Sequence, residues 1–500
     1  MALSMIGSAV FIALLLLYVI VLLSIGRWSA KKVDSSNDYL LAGRSVPLGL
    51  SVLSLLGTWF GSSAILGATR NTYESGMNGT VLEPFACAAT LAFTGIFFAG
   101  PLWTRQVATV ADLFRERMGA SAEWISCLIQ IPTFFCWIGA QYLSIGALLE
   151  TYLGIPMWIG AFVSSMVVLL ILWSGGMWAV TWTNSFLVAL SIVSVVILFL
   201  GTASTVGEGD LVLGVREVWE KTPREELSFV PDMRLSTLLG VVGIFLTGLL
   251  GNVPGQDLQQ RVLCARSPQV ARWCCLIASV LYLMVGLIPI FVGFAARLRL
   301  ANHIKEDDVR GDQVLPIAAS HFLSEPFEIL LLLGLISVNL AVAASATISQ
   351  TTILSNNVLG RWLRDESGSP KRERACVIAV MIGSLIAAFS GESVMGLLEI
   401  SLVIVMVALF VPMCVCLFAR TVVPWTGVAS MLAGTAVWGF HVAVEGWLSR
   451  GSGDTGDVLG ELSALQWYLA VPAEIQGLFA SAVVASIPYF IYGGRKTEES

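Results

Sequence analysis

Trp59 and Trp137 sit near the middles of long apolar stretches, whereas tryptophan in membrane proteins concentrates at the two interfaces. Facing a cavity, two indoles at that depth can hold an organic cation by cation–π attraction, about 0.5–2 kcal/mol each depending on desolvation. A quaternary ammonium suits that chemistry. A buried indole also simply fills a core, and Trp59, beside a break in its helix, is the stronger candidate for binding. Gln141 lies one turn from Trp137 on the same helical face, and Asn252 and Gln256 flank a second break, so these three amides can meet polar solute groups or bond between helices. Acids within apolar segments are functional candidates by default. Glu83, just before Pro84, and Glu399 fall in the outer halves of their segments, where each can attract a cation or pair with Arg70. Asp257 has Arg261 one turn away as an ordinary partner, and His441 with Glu445 reads as structural.

These groups need elements that hold them in hydrocarbon. Hydrophobic residues make up 56% of the 500 and charged residues 12%, a balance that excludes a water-soluble domain of this length. A bilayer core about 30 Å thick takes about 20 apolar residues per helix. Thirteen candidate spans follow, centred near 16, 58, 91, 136, 165, 190, 249, 283, 340, 382, 408, 435 and 484. The chain is therefore expected to be an all-α polytopic membrane protein with a single membrane domain over 1–500. The first apolar run has its positive charge, Arg27, behind it rather than before it, unlike a cleaved signal peptide. An outside N-terminus then assigns 18 of the 28 Lys and Arg to the cytoplasm, as the positive-inside rule requires, and an odd number of spans puts the C-terminus inside. Nine cysteines show neither a disulfide framework nor metal spacing, and three histidines are dispersed, so an enzyme has no constellation to stand on. The net charge of −6 suggests no nucleic-acid partner.

Two spans are interrupted near their middles. The first, roughly 45–70, carries Gly57, Gly61 and Gly67; the other, roughly 236–262, carries Gly251, Pro254 and Gly255. Unpaired backbone survives at bilayer depth only where protein or a water-filled cavity satisfies it. Paired breaks in corresponding halves point to a secondary transporter with its site at the midplane. Residues near 57–61 and near 251–255 are expected to be non-helical and to face each other across a polar cavity.

Around the first break the chain reads Asp38-Tyr39-Leu40-Leu41-Ala42-Gly43-Arg44-Ser45 and then Gly57-Thr58-Trp59-Phe60-Gly61. Gly175-Gly176 with Thr183-Asn184, Gln256 with Gln260-Arg261-Val262-Leu263, and the run Ala341 to Ala346 follow in order. Together these resemble the sodium:solute symporter family, and Thr58-Trp59, Trp137 and the Pro254-to-Leu263 pattern look most like its choline-transporter branch. The resemblance implies a five-plus-five inverted repeat of the leucine-transporter type over 45–421, with one extra helix at 6–26 and two at 422–493. It also implies a sodium ion held by the carbonyls of Gly57, Phe60 and Val342 and the hydroxyl of Ser345. Two positions depart from the pattern: the family's second hydroxyl is Ala346 here, and its aspartate in the fifth core helix is Asn184. Ser345 and Thr347 are also residue types that glue membrane helices together. A further departure is Gly255, where the choline branch carries another aromatic.

The resulting expectation is a sodium-coupled symporter of the plasma (inner) membrane, carrying a small organic solute by alternating access, with choline or a betaine favoured. An uncoupled facilitator, or a symporter of an amino acid, sugar or carboxylate, stands beside it. A transporter-derived membrane sensor is a reading from another class, and the few residues after 493 leave no room in this chain for a cytoplasmic signalling domain.

Overall fold

The computed structural model describes residues 3–230, 232, 234–304, 313–363, 370–390, 402–451, 468 and 471–492, so Glu399 lies outside the described residues. Thirteen helical elements organise it. They are α1 (Met5–Ser29), α2 (Leu48–Trp59), the helical run α3 (Ser63–Thr104), α4 (Ala120–Leu153), α5 (Met157–Val206), α6 (Leu235–Gly251) and α7 (Gln256–Cys264). Then come α8 (Pro268–Leu300), α9 (Glu325–Leu359), α10 (Lys371–Ser390), α11 (Leu402–Phe418), α12 (Pro424–Gly451) and α13 (Ala473–Tyr492). Among the described residues eight helices are long and apolar enough to cross a membrane, and α6 with α7, bent by 42°, makes a ninth; α2, α11 and α13 are shorter apolar helices. The only sheet-like pairing among them is one parallel bridge, Val46 with Ala265.

Burial sorts the helices into layers. In α9 94% of the apolar window is buried, against 22% in α1 and 28% in α12, so α9 is the axis of the bundle and α1 and α12 lie at its rim. Small side chains let α9 take that place. A Cβ on Gly334 would fall 1.9 Å from Ser194 Oγ of α5, and Ser191 Oγ donates to the Gly334 carbonyl at 2.9 Å. On one face a polar cluster joins α9 to α4 and to the short helix Val110–Met118. Asn357 donates to Asp112 (2.7 Å) and to Glu123 (2.8 Å), while Arg361 and Arg115 both pair with the buried Glu123.

Local sequence explains the ends and the kinks. Thr109 with Asp112 forms a capping box at Val110–Met118, and Ser267 caps the proline-led start of α8. The fifty residues of α5 would span about 75 Å as one straight helix. Gly176 divides them, with φ +49° and ψ −131°, and a Cβ there would meet the Tyr39 carbonyl at 2.4 Å. Only glycine fits both the dihedral and the space. Gly176→Ala should therefore cost about 1–3 kcal/mol, read as a lowered midpoint in thermal unfolding of the detergent-solubilised protein.

Candidate functional site

The two breaks differ in detail from the glycine pattern. Helix α2 runs straight through Gly57 and ends at Trp59, with Phe60 leaving helical geometry at ψ +79°, and helix resumes at Ser63. The interruption therefore lies at 60–62, one turn beyond Gly57. Gly57 serves packing instead, since a Cβ on it would touch Asn184 and Val188 of α5 at 3.0 Å. The second interruption occupies 252–255 as expected.

Both breaks open on one cavity of about 80 Å³, room for several water molecules at roughly 10–15 Å³ each. Trp59 and Ser63 come to it from the first break, and Gly251, Asn252, Gly255 and Asp257 from the second. Trp137 and Phe134 of α4 supply a third side, Glu83 and Cys87 of α3 a fourth, and Tyr282 of α8 completes the aromatic lining. Two carboxyl groups thus share a pocket with four aromatic side chains. Asp257 lies in the first turn of α7, close to the backbone N–H groups of Leu258 and Asp257, to Arg261 and to the Trp59 indole. A Cβ on Gly255 would lie 2.7 Å from its Oδ1, so the carboxylate occupies the space into which a side chain at 255 would grow. Glu83 takes a 2.6 Å hydrogen bond from the Tyr282 hydroxyl and a longer one, 3.4 Å, from Ser63.

The pairings expected for these acids are not the ones formed. Arg70 pairs with Glu74 at 3.2 Å, while Glu83 is held by hydroxyls. Arg261 lies near enough to Asp257 for charge attraction but makes no close ion pair with it: its Nε donates to Thr58 Oγ1 (2.9 Å) and its Nη1 lies 2.6 Å from Met177 Sδ. Thr58 Oγ1 is 3.1 Å from Ser345 Oγ, which also accepts from Asn184 Nδ2 at 2.7 Å. A buried chain Arg261–Thr58–Ser345–Asn184 therefore joins α7, α2, α9 and α5 at the level of the first break. Val342 backs Gly61, with its Cγ2 3.1 Å from where a Cβ would be, and Phe60 packs edge-on against Tyr282 with ring centroids 5.7 Å apart. Gly57, Phe60, Val342 and Ser345 are thus gathered in one neighbourhood, whose donors now include an amide and a guanidinium.

The three amides separate. Asn252 lines the cavity and donates to the Gly248 carbonyl at 3.0 Å. Gln141 is buried beside the first break, donating weakly to the Trp137 carbonyl (3.4 Å) with its oxygen near Gly61. Gln256 is away from the cavity lining. Its oxygen accepts from the Val110 amide (2.9 Å) and its Nε2 donates to the Ala108 carbonyl (3.3 Å), which anchors the start of α7 to the loop before Val110–Met118. Gln260 likewise bonds the Leu40 carbonyl (2.6 Å) and Thr352 (2.8 Å), so the Gln-Arg pair of the motif fastens α7 in place. Tyr282, like Phe134, Ser63 and Cys87, is a cavity residue absent from the sequence expectations. Its one signal is a phenol in the middle of an apolar span, which must find a polar partner.

Two interrupted helices meeting at an internal cavity within an all-helical bundle define a membrane transporter for a small solute. Residues 39–434 match the sodium:solute symporter family, and the chain belongs to it. A high-affinity choline transporter of Drosophila melanogaster is 23% identical over 81% of this chain and 66% of its own length, so this chain spans slightly under two thirds of that relative. The human high-affinity choline transporter is 22% identical over 85% of this chain and 75% of its own. A sodium/glucose cotransporter of Vibrio parahaemolyticus is 23% identical over 77% and 76% respectively. Among solved structures, a Na+-coupled sialic acid symporter in a substrate-bound, outward-open state superposes with a TM-score of 0.77 at 15% identity, covering 98% of both chains. A nucleobase-cation-symport-1 family transporter in a closed conformation superposes at 0.57 and 14% identity, covering 92% of this chain and 96% of its own.

Because its amide faces a loop, Gln256→Leu should destabilise the protein by about 1–3 kcal/mol while leaving solute affinity unchanged. Paired thermal-unfolding and binding measurements check this; a loss of affinity at unchanged stability would put Gln256 in the solute site.

Proposed function

We propose that this protein is a sodium-coupled symporter of a small organic cation, with a quaternary ammonium such as choline or a betaine as the favoured solute. The observation that carries the cation is the cavity itself, in which Trp59, Trp137, Phe134 and Tyr282 surround two carboxyl groups. Ring faces and acids together favour a positive headgroup and disfavour an anion. The choline transporters among the relatives agree with this choice, while the sodium/glucose relative keeps a neutral solute in view.

Thirteen spans result if the following are counted as passes: α2 with the first turns of α3, the remainder of α3, each half of α5, and α6 with α7. The ten from α2 to α11 would form the five-plus-five inverted repeat over 45–421, with α1 before it and α12 and α13 after it. The N-terminus is then outside and the C-terminus in the cytoplasm of the plasma membrane. Alternating access would rock one group of helices about the cavity at the level of the breaks.

Sodium would be held by the Gly57, Phe60 and Val342 carbonyls and Ser345 Oγ. The neighbourhood is poorer than a full oxygen cage, since Ala346 offers no hydroxyl and Ser345 is already engaged by Asn184. Weak binding follows, with solute affinity rising only at high sodium. An uncoupled facilitator is the second reading, and the same Asn184–Ser345 bond is what favours it.

Transport into proteoliposomes separates the two. Ala346→Ser should shift the sodium dependence to lower concentration and Ser345→Ala should nearly remove it, with reciprocal changes in sodium affinity at saturating solute. Indifference of the unmodified protein to replacing sodium with a large inert cation, together with no effect of Ala346→Ser, would leave the facilitator.

For the solute, Trp59→Leu should weaken quaternary-amine binding by about one to two orders of magnitude, the upper cation–π range, and affect neutral solutes less. Equal losses for both would assign Trp59 to packing.

A further inference from the structure

Glu83 is a buried acid of the cavity that forms no ion pair among the described residues. It sits at a kink in α3, with φ −117° and ψ 121°, and its side chain reaches the cavity. Its hydrogen-bond partners are two hydroxyls, Tyr282 of α8 at 2.6 Å and Ser63 of the first break at 3.4 Å, with the Cys87 thiol one turn along its own helix. Among the described residues no Lys, Arg or His lies within ion-pair distance of it: Arg70 pairs with Glu74, and Arg261 is turned to Thr58 and Met177. Helix α6, packed against this kink, has no titratable side chain, and neither has the turn Gly76–Thr80. The other acid of the cavity, Asp257, is differently placed, because it lies in the first turn of a helix with the Arg261 guanidinium near enough to stabilise its charge. Glu83 has no such compensation. A carboxylate out of water with hydroxyl donors alone is costly, whereas the protonated acid is not, and an entering cation removes the difference by supplying the missing positive charge.

We propose that Glu83 carries a proton in the solute-free protein and releases it when an organic cation enters, so that the cavity exchanges one proton for one cation. This rests on the cationic solute proposed above. In the exchange the O–H bond of the Glu83 carboxyl breaks and its electron pair stays on the oxygen. The proton leaves through cavity water to the bulk, and the carboxylate, still held by Tyr282, becomes the counter-charge of the solute. The empty carrier then keeps a proton that the loaded carrier lacks, and alternating access moves protons against the solute. Affinity for the cation should rise about tenfold per pH unit over the range in which the empty site is protonated, and level off above it.

The test uses the full chain in lipid, with choline as the probe and tryptophan fluorescence reporting binding. In infrared difference spectra at neutral pH, a protonated-carboxyl band present in the unmodified protein and missing from Glu83→Gln upholds the proton on Glu83; identical spectra overturn it. Tyr282→Phe, which leaves the acid in place, should shift that band rather than remove it. Adding choline should bleach the band and release one proton per bound choline to a pH dye, and Glu83→Gln should bind choline more weakly, with no release and no pH dependence. Choline binding without proton release overturns the exchange and leaves the cation reading standing. Absence of choline binding in a protein that keeps the band overturns the cation reading instead, and the exchange with it.

Discussion

Every helix break inside a membrane leaves backbone groups that lipid cannot satisfy, and the site is arranged around meeting that demand. At the first break the Phe60 and Gly61 amides turn back to the Leu56 and Trp59 carbonyls at 2.8 and 2.9 Å. At the second, Val253 and Gly255 do the same with Leu250 and Asn252, and Gln259 Nε2 caps the Val253 carbonyl at 2.5 Å. What remains is shared between the two breaks. Asp257, in the first turn of α7, lies near the amides of that turn and near the Trp59 indole, so its carboxylate sits between the two interruptions. The parallel bridge between Val46 and Ala265 fixes the far ends of the same two segments. The cavity exists because these segments cannot close on each other as continuous helices would.

Charge is distributed accordingly. Arg261 is buried beneath the first break, bonded to Thr58 rather than to an acid, and its neighbour across Ser345 is the neutral Asn184. The acids Glu83 and Asp257 lie on the cavity side, lined with rings. A positive group is thus built into the neighbourhood assigned to the ion, and negative groups into the neighbourhood assigned to the solute. That separation is the electrostatic reason why the proposed weak sodium binding and the proposed cationic solute belong together in one account.

Much of this was legible in the residues. Apolar length marked the helices, and Gly251, Pro254 and Gly255 placed the second break, because proline and glycine act on backbone locally wherever they occur. The first break falls at the far end of the expected 57–61, since Gly57 is demanded by the approach of α5 and not by a change of dihedral. Trp59 and Trp137 were marked by their depth and Asn252 by flanking the second break, and the structure brings all three to one cavity. Gln256 was marked by the same reasoning and turns to a loop instead, because flanking a break says nothing about which way an amide points.

Local chemistry in the chain therefore determined the class of the fold, the segments that break and the types of group available at bilayer depth. Which of those groups meet was decided by packing between helices far apart in sequence. Tyr282 stands 199 residues from its partner Glu83, and Arg261 stands 203 from Thr58. Sequence proximity offered Arg261 to Asp257 and Arg70 to Glu83. The tertiary structure chose otherwise, because a buried polar group bonds whatever donor or acceptor the neighbouring helix presents, and a membrane interior has no water to stand in for a missing one.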